Sequence, residues 1–118
     1  MAGSILYHNP RCGKSRGALA LLEDRGLDVQ VVEYLKTPPT NKELGRILDL
    51  LDADPGTLLR TSEPEYKALG RSAGAVLSRS EVIDLIAAHP ILLQRPVFIH
   101  GDRAVIGRPS ERVLELLD

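Results

Sequence analysis

The strongest constraint on this chain lies in its first third, where an apolar stretch, a helical pattern and a second apolar stretch follow one another directly. Ile5–Tyr7 ends at the turn signal His8-Asn9-Pro10, and beyond Cys12 a helical pattern runs from Gly13 to Arg25. Ala18, Leu19 and Leu22 give that helix an apolar face, and Gly26 is placed to stop it. Val29–Tyr34 then has the β-branched content of a strand. The unit is βαβ. Strands joined in this way run parallel with a right-handed crossover, so the end of the first strand and the start of the helix share one sheet edge. Ligands of α/β sheets bind at that edge, and Cys12 sits there.

The rest of the chain completes an α/β pattern. Thr40-Asn41-Lys42-Glu43 is a capping box, followed by Leu44, Ile47, Leu48 and Leu51 at helical spacing. Ser62–Glu65 and Ser78–Glu81 have the same form, the latter leading into Val82, Leu85 and Ile86, so the middle reads as a helical insertion on the sheet's edge. Val97–His100, a Gly101-Asp102 turn and Arg103–Ile106 predict a β-hairpin. A last helix is expected from Pro109, with Val113, Leu116 and Leu117 on its apolar face. The order predicts an α/β fold with a mixed four-stranded sheet, as in thioredoxin-like domains, though other α/β arrangements share it.

The chain's 118 residues suit one domain, expected to span 1–118. A net charge of -1 gives no broad pull toward nucleic acid or an anionic membrane, so any anion site must be local. No apolar run approaches a bilayer span, and Met1–Ser4 lacks the features of a secretion signal, so a cytoplasmic protein is expected. A single cysteine cannot form an internal disulfide, and a free thiol fits a reducing compartment.

That thiol is the informative atom. A helix start offers unpaired N–H groups and the positive end of the helix dipole, both of which stabilise an anion such as a thiolate. A free cysteine has a pKa of roughly 8.5, and this setting lowers it. Ser15, three residues on, is placed to donate a hydrogen bond to the sulfur, while His8, Arg11, Lys14 and Arg16 add actual or potential positive charge. A lone cysteine is by default a small buried hydrophobe. Here Arg11, Gly13 and Lys14 flank it in a strand-to-helix loop, which favours a reactive thiol.

Several sharper motifs fail on spacing. A dithiol redox site needs a second cysteine where Ser15 stands, and a phosphate loop needs an earlier glycine than Gly13-Lys14-Ser15 supplies. A tyrosine-phosphatase loop needs an arginine at Ala18. His8, His89 and His100 match no metal-ligand spacing, so no metal is expected; by default His89 lies near a helix end and His100 beside a turn.

The segment from Tyr7 to Arg16, Tyr-His-Asn-Pro-Arg-Cys-Gly-Lys-Ser-Arg, closely resembles the active-site segment of the glutaredoxin-coupled arsenate reductase family. The likeness continues through Tyr34–Thr40, Leu58-Leu59-Arg60, His89–Leu92, Gln94-Arg95-Pro96 and Gly107–Glu111, in the family's order, and covers nearly the whole chain. It implies a thioredoxin-like fold, a catalytic cysteine at Cys12, and oxyanion-holding arginines at Arg60, Arg95 and Arg108. Any one arginine is by default a solvated surface residue. Arg95 is different because it interrupts the apolar runs Ile91–Leu93 and Val97–Ile99, where a charge needs a partner. The Arg95-Pro96 bond is a candidate cis peptide.

The resemblance further implies that Cys12 attacks arsenate, that glutathione reduces the adduct as co-substrate, and that glutaredoxin clears the mixed disulfide; no bound cofactor is expected, and a monomer is the default expectation. Two other readings share the fold. Cys12 and Ser15 have the spacing of a monothiol glutaredoxin-like protein, which exchanges thiols or carries an iron–sulfur cluster; Arg95 before Pro96 argues against it, since glutathione-binding relatives place a small or β-branched residue there. A non-enzymatic interaction module would be the other.

Overall fold

The computed structural model describes residues 3–51, 53–70 and 76–117. Its contacts divide into two compact units, Met1–Thr37 with Arg95–Asp118, and Pro38–Gln94.

The first unit holds the sheet. Strand β1 (Ser4–His8) leads through a short loop into helix α1 (Gly13–Asp24) and on to β2 (Gln30–Glu33); the hairpin β3 (Val97–His100) and β4 (Arg103–Ile106) follows the insertion. The strand order is β2-β1-β3-β4, with β1 parallel to β2 and the other pairs antiparallel. The expected mixed four-stranded sheet and βαβ unit are both present. Helix α1 stops where Gly26 takes φ 70, a left-handed conformation that an L side chain rarely adopts. Gly26 N–H donates to Glu23 O at 2.9 Å and Leu27 N–H to Leu22 O at 3.2 Å, the paired bonds of a Schellman end.

Register explains the core of this unit. Leu6 pairs with Phe98, and Phe98 with Val105, so three strands place one apolar row on a common face. Ala18 and Leu22 from α1, and Val113 and Leu116 from the closing segment, pack against that row. Burial of each large side chain here stabilises by about 2 kcal/mol. The closing segment is a 3₁₀ helix over Ser110–Leu116 and begins one residue later than expected. Pro109 keeps φ -68 but takes an extended ψ of 165, so it caps the segment rather than joining it.

The second unit is helical, as expected of an insertion. Helices α2 (Asn41–Leu50) and α4 (Arg79–Ala88) each begin with a complete capping box, from Thr40 and Ser78. Arg79 links them, donating to Gly45 O at 2.8 Å and pairing with Asp49 at 2.8 Å. The third expected capping box, Ser62–Glu65, does not form. Pro64 takes the first position of the short helix α3 (Pro64–Ala68), which makes Glu63 the cap, and the Glu63 carboxylate pairs with Arg60 at 3.0 Å. Two 3₁₀ turns, Pro55–Leu58 and Pro90–Leu92, are tied by a Leu59–Leu93 bridge.

In the first unit the Arg95-Pro96 and Arg108-Pro109 bonds are both cis; the former was expected and the latter was not. Gly107 lies between these segments. Its N–H donates to Pro96 O at 2.9 Å, and a Cβ there would lie 2.8 Å from Pro96 Cγ and 3.1 Å from Val113 Cγ1. The proline ring cannot rotate away, so Gly107→Ala should destabilise by about 1–3 kcal/mol, read as a lower urea midpoint at unchanged m-value. Gly56, with nothing within 4 Å of its Cβ position, is the control and should tolerate alanine.

Candidate active site

The loop from β1 to α1 is built by its own polar groups. Asn9 Oδ1 accepts from Arg11 N–H at 3.0 Å, and Asn9 O accepts from Cys12 N–H at 3.0 Å, so the chain reverses around Pro10. The Arg16 guanidinium returns to Pro10 O at 3.1 Å. This turn delivers Cys12 as the N-cap of α1, with extended backbone at φ -94 and ψ 122. The first turn of the helix carries no acidic residue, so its N-terminal positive potential has no competing carboxylate.

Cys12 is partly exposed. Burial, the largest single influence on its pKa, opposes ionisation; against it act the Ser15 and Lys14 backbone N–H groups and then the Arg95 guanidinium. Those donors prevail, and the thiol is held below its ordinary range. No cap hydrogen bond of full geometry closes to the sulfur, so the N–H groups act mainly by proximity.

Ser15 contributes differently from the sequence-based expectation. Its hydroxyl is fully buried, accepts from Asn9 N–H at 3.0 Å and lies 2.6 Å from His8 Nδ1. Burial lowers the His8 pKa, with the Glu33 carboxylate opposing that and Arg16 adding to it. With Nδ1 of the neutral His8 ring unprotonated, the Ser15 O–H donates its hydrogen bond to it. The hydroxyl is therefore committed to His8 and Asn9, and Ser15 reaches Cys12 through its backbone N–H instead. A ring held neutral near pH 7 likewise does not supply the positive charge expected of His8.

Of the three arginines, Arg95 is only 8% exposed and lies against Cys12. Arg108 stands behind it, donating from Nη1 to Arg95 O at 3.1 Å. Arg60 belongs to the helical unit, where its N–H donates to Leu92 O at 2.7 Å and its Nε pairs with Glu63. The structure thus brings together Cys12, His8, Ser15 and Arg95, with Arg108 attached to the last, and places Arg60 in the other unit.

Sequence reasoning missed Tyr34. This fully buried residue follows β2 at the sheet edge that carries Cys12, beside Asn9, Arg95 and Cys12. Its position at the end of a parallel strand was the signal that could have found it. A groove of about 290 Å³ also opens at this edge, between His8–Arg11 and the residues Glu33, Leu35 and Lys36. The remaining histidines have structural partners: His89 pairs with Glu65 at 2.7 Å, and His100 bonds Ser4 Oγ at 2.7 Å. Among the described residues no His, Cys, Asp or Glu cluster could hold a metal ion, and no helix is long and apolar enough to cross a membrane.

The arrangement suits a nucleophilic sulfur beside a cationic fork that accepts tetrahedral oxyanions. Alkylation of Cys12 by iodoacetamide should therefore show a pH midpoint below the roughly 8.5 of a free thiol. Arg95→Gln should raise that midpoint more than Ser15→Ala does, because the Ser15 hydroxyl is engaged elsewhere; an equal rise in both would contradict this assignment.

Comparison with known proteins places these residues in context. The model of the ArsC family matches residues 7–116. An arsenate reductase of Neisseria meningitidis serogroup B is 42% identical over 113 residues, covering 95% of this chain and 96% of the relative. One from Haemophilus influenzae is 42% identical over 114 residues, covering 96% and 97%. The solved structure of an arsenate reductase from Vibrio cholerae superposes with a TM-score of 0.85 at 40% identity, covering 97% of each chain.

Proposed function

The chain belongs to the ArsC family of thioredoxin-like proteins, and from that footing we propose that it reduces arsenate to arsenite with Cys12 as the nucleophile. The observation that carries the reading is the Cys12 thiol, held below its ordinary range at the start of α1 with Arg95 beside it.

In the proposed reaction the Cys12 thiolate attacks arsenic and forms an S–As bond, while one arsenate oxygen takes up protons and leaves as water. Arg95 and Arg108 offset the negative charge of the adduct, and a guanidinium fork suits two oxygens of a tetrahedral anion. Arg60 enters the proposal from the family resemblance, not from its geometry. A glutathione thiolate then attacks the Cys12 sulfur; an S–S bond forms, and the S–As electron pair departs with arsenic, reduced from the pentavalent to the trivalent state. With no second cysteine in the chain, Cys12 stays in a mixed disulfide until a glutaredoxin thiolate attacks the glutathione sulfur and releases it. The electrons come from glutathione, and the proposal assigns no bound cofactor. His8, Ser15 and Asn9 hold the loop that presents the sulfur. Phosphate has arsenate's shape and charge but is not reduced by thiols, so it acts as an inhibitor at most.

The deciding assay is arsenate-dependent NADPH oxidation with glutathione, glutaredoxin and glutathione reductase. Activity should be present in the wild type and absent in Cys12→Ser. Inactivity of a folded wild-type protein would overturn the proposal. Arg95→Lys should lower kcat/KM by about tenfold or more, because an ammonium lacks the paired donors. A similar loss in Arg60→Lys would support its role at the anion, and an unchanged rate would remove it from the site.

A further inference from the structure

Tyr34 presents a problem that the chemistry above does not use. It is fully buried, and its hydroxyl lies near the Asn9 side chain and the Arg95 guanidinium without closing a hydrogen bond to any described residue. Buried hydroxyls are rarely left in this state, because the group has lost its water. Asn9 Oδ1 already accepts from Arg11 N–H. Burial raises the Tyr34 pKa most strongly, and the group remains an uncharged phenol through the neutral range.

The neighbour explains the choice of a phenol. An arginine that holds an anion presents only part of its donor fork to it, and the donors on its far side need acceptors of their own, since guanidinium accepts nothing. A carboxylate in that position would neutralise Arg95 and compete with the anion. A phenol oxygen accepts an N–H and leaves the positive charge in place.

We propose that Tyr34 is a positioning residue whose buried, uncharged hydroxyl is the acceptor held open for the back of the Arg95 guanidinium, so that closing this bond orients the fork when an oxyanion sits beside Cys12. The inference rests on the oxyanion reading above and concerns a residue that reaches the anion only through Arg95. Arg95 lies against the Cys12 sulfur with the Tyr34 hydroxyl in reach of its guanidinium, but without a bond of full geometry between the two. An arriving oxyanion draws the guanidinium into its own plane of contacts, and the far N–H then meets Tyr34 Oη.

Two effects of Tyr34→Phe should therefore run in opposite directions. The variant removes a buried hydroxyl that closes no bond, so its urea midpoint should equal or exceed that of the wild type. Its grip on the oxyanion should weaken. The measurement is protection of Cys12 from iodoacetamide by arsenate, which needs no turnover, glutathione or glutaredoxin. Tyr34→Phe should raise the half-protecting arsenate concentration by about tenfold, the scale of one hydrogen bond to a charged group. In an Arg95→Gln background the same substitution should have little further effect, because the residue that Tyr34 seats is gone. Unchanged protection in Tyr34→Phe, or an undiminished loss in the Arg95→Gln background, would overturn the proposal. Failure of arsenate to protect the wild type would overturn the oxyanion reading and this inference together, whereas a protected wild type with an unaffected Tyr34→Phe variant would sink the inference alone.

Discussion

The first-unit site depends on one electrostatic constraint: an anionic sulfur must be stabilised where a strand ends and a helix begins. The helix supplies N–H groups aligned along its axis, but a partly buried sulfur also loses hydration, and burial is the largest influence on Cys12. The Ser15 and Lys14 N–H groups act first against that burial, and Arg95, from a distant part of the sequence, adds to them. Placing that arginine requires β3 to lie beside β1, which the antiparallel register from Ser4–His100 to Tyr7–Val97 achieves. The apolar row Leu6, Phe98 and Val105 holds that register, so the core that stabilises this unit also locates the charge that tunes the thiol.

How far this was legible in the sequence depended on how local each signal was. The βαβ unit, the hairpin and two capping boxes could be read because turn chemistry and periodicity act over a few residues, and all of them are present. The capping pattern at Ser62–Glu65 misled for an equally local reason: a proline at the first helical position moved the cap to Glu63, whose carboxylate was already engaged by Arg60. Cys12 was legible from its flanks and its place at the sheet edge. Arg95 was legible because a charge between two apolar runs needs an explanation, and it is indeed buried.

What could not be read were the contacts that depend on side-chain direction. Ser15 has the right spacing to face the sulfur, but its hydroxyl turns toward His8 and Asn9 N–H, a choice set by the buried polar groups at the end of β1 that need partners. Arg108 is one arginine among many until the first unit places its Nη1 on the Arg95 carbonyl. Arg60 could be singled out only by resemblance, since its bond to Glu63 has the form of any ion pair three residues apart. Tyr34 looked like the last apolar residue of a strand.

The identity of Cys12 as the N-cap of α1 has a consequence for the backbone itself. The sulfur that bears the negative charge is also the anion that the nearby Lys14 and Ser15 N–H groups stabilise. Any covalent bond formed at that sulfur removes the charge, and with it the electrostatic attraction those two donors feel. The oxidation state of the thiol is thereby written into the order of the helix's first turn, which should be firmest when the sulfur is a thiolate and should fray when it carries an adduct. Amide exchange at Lys14 and Ser15 would then report the redox state of the side chain from the backbone.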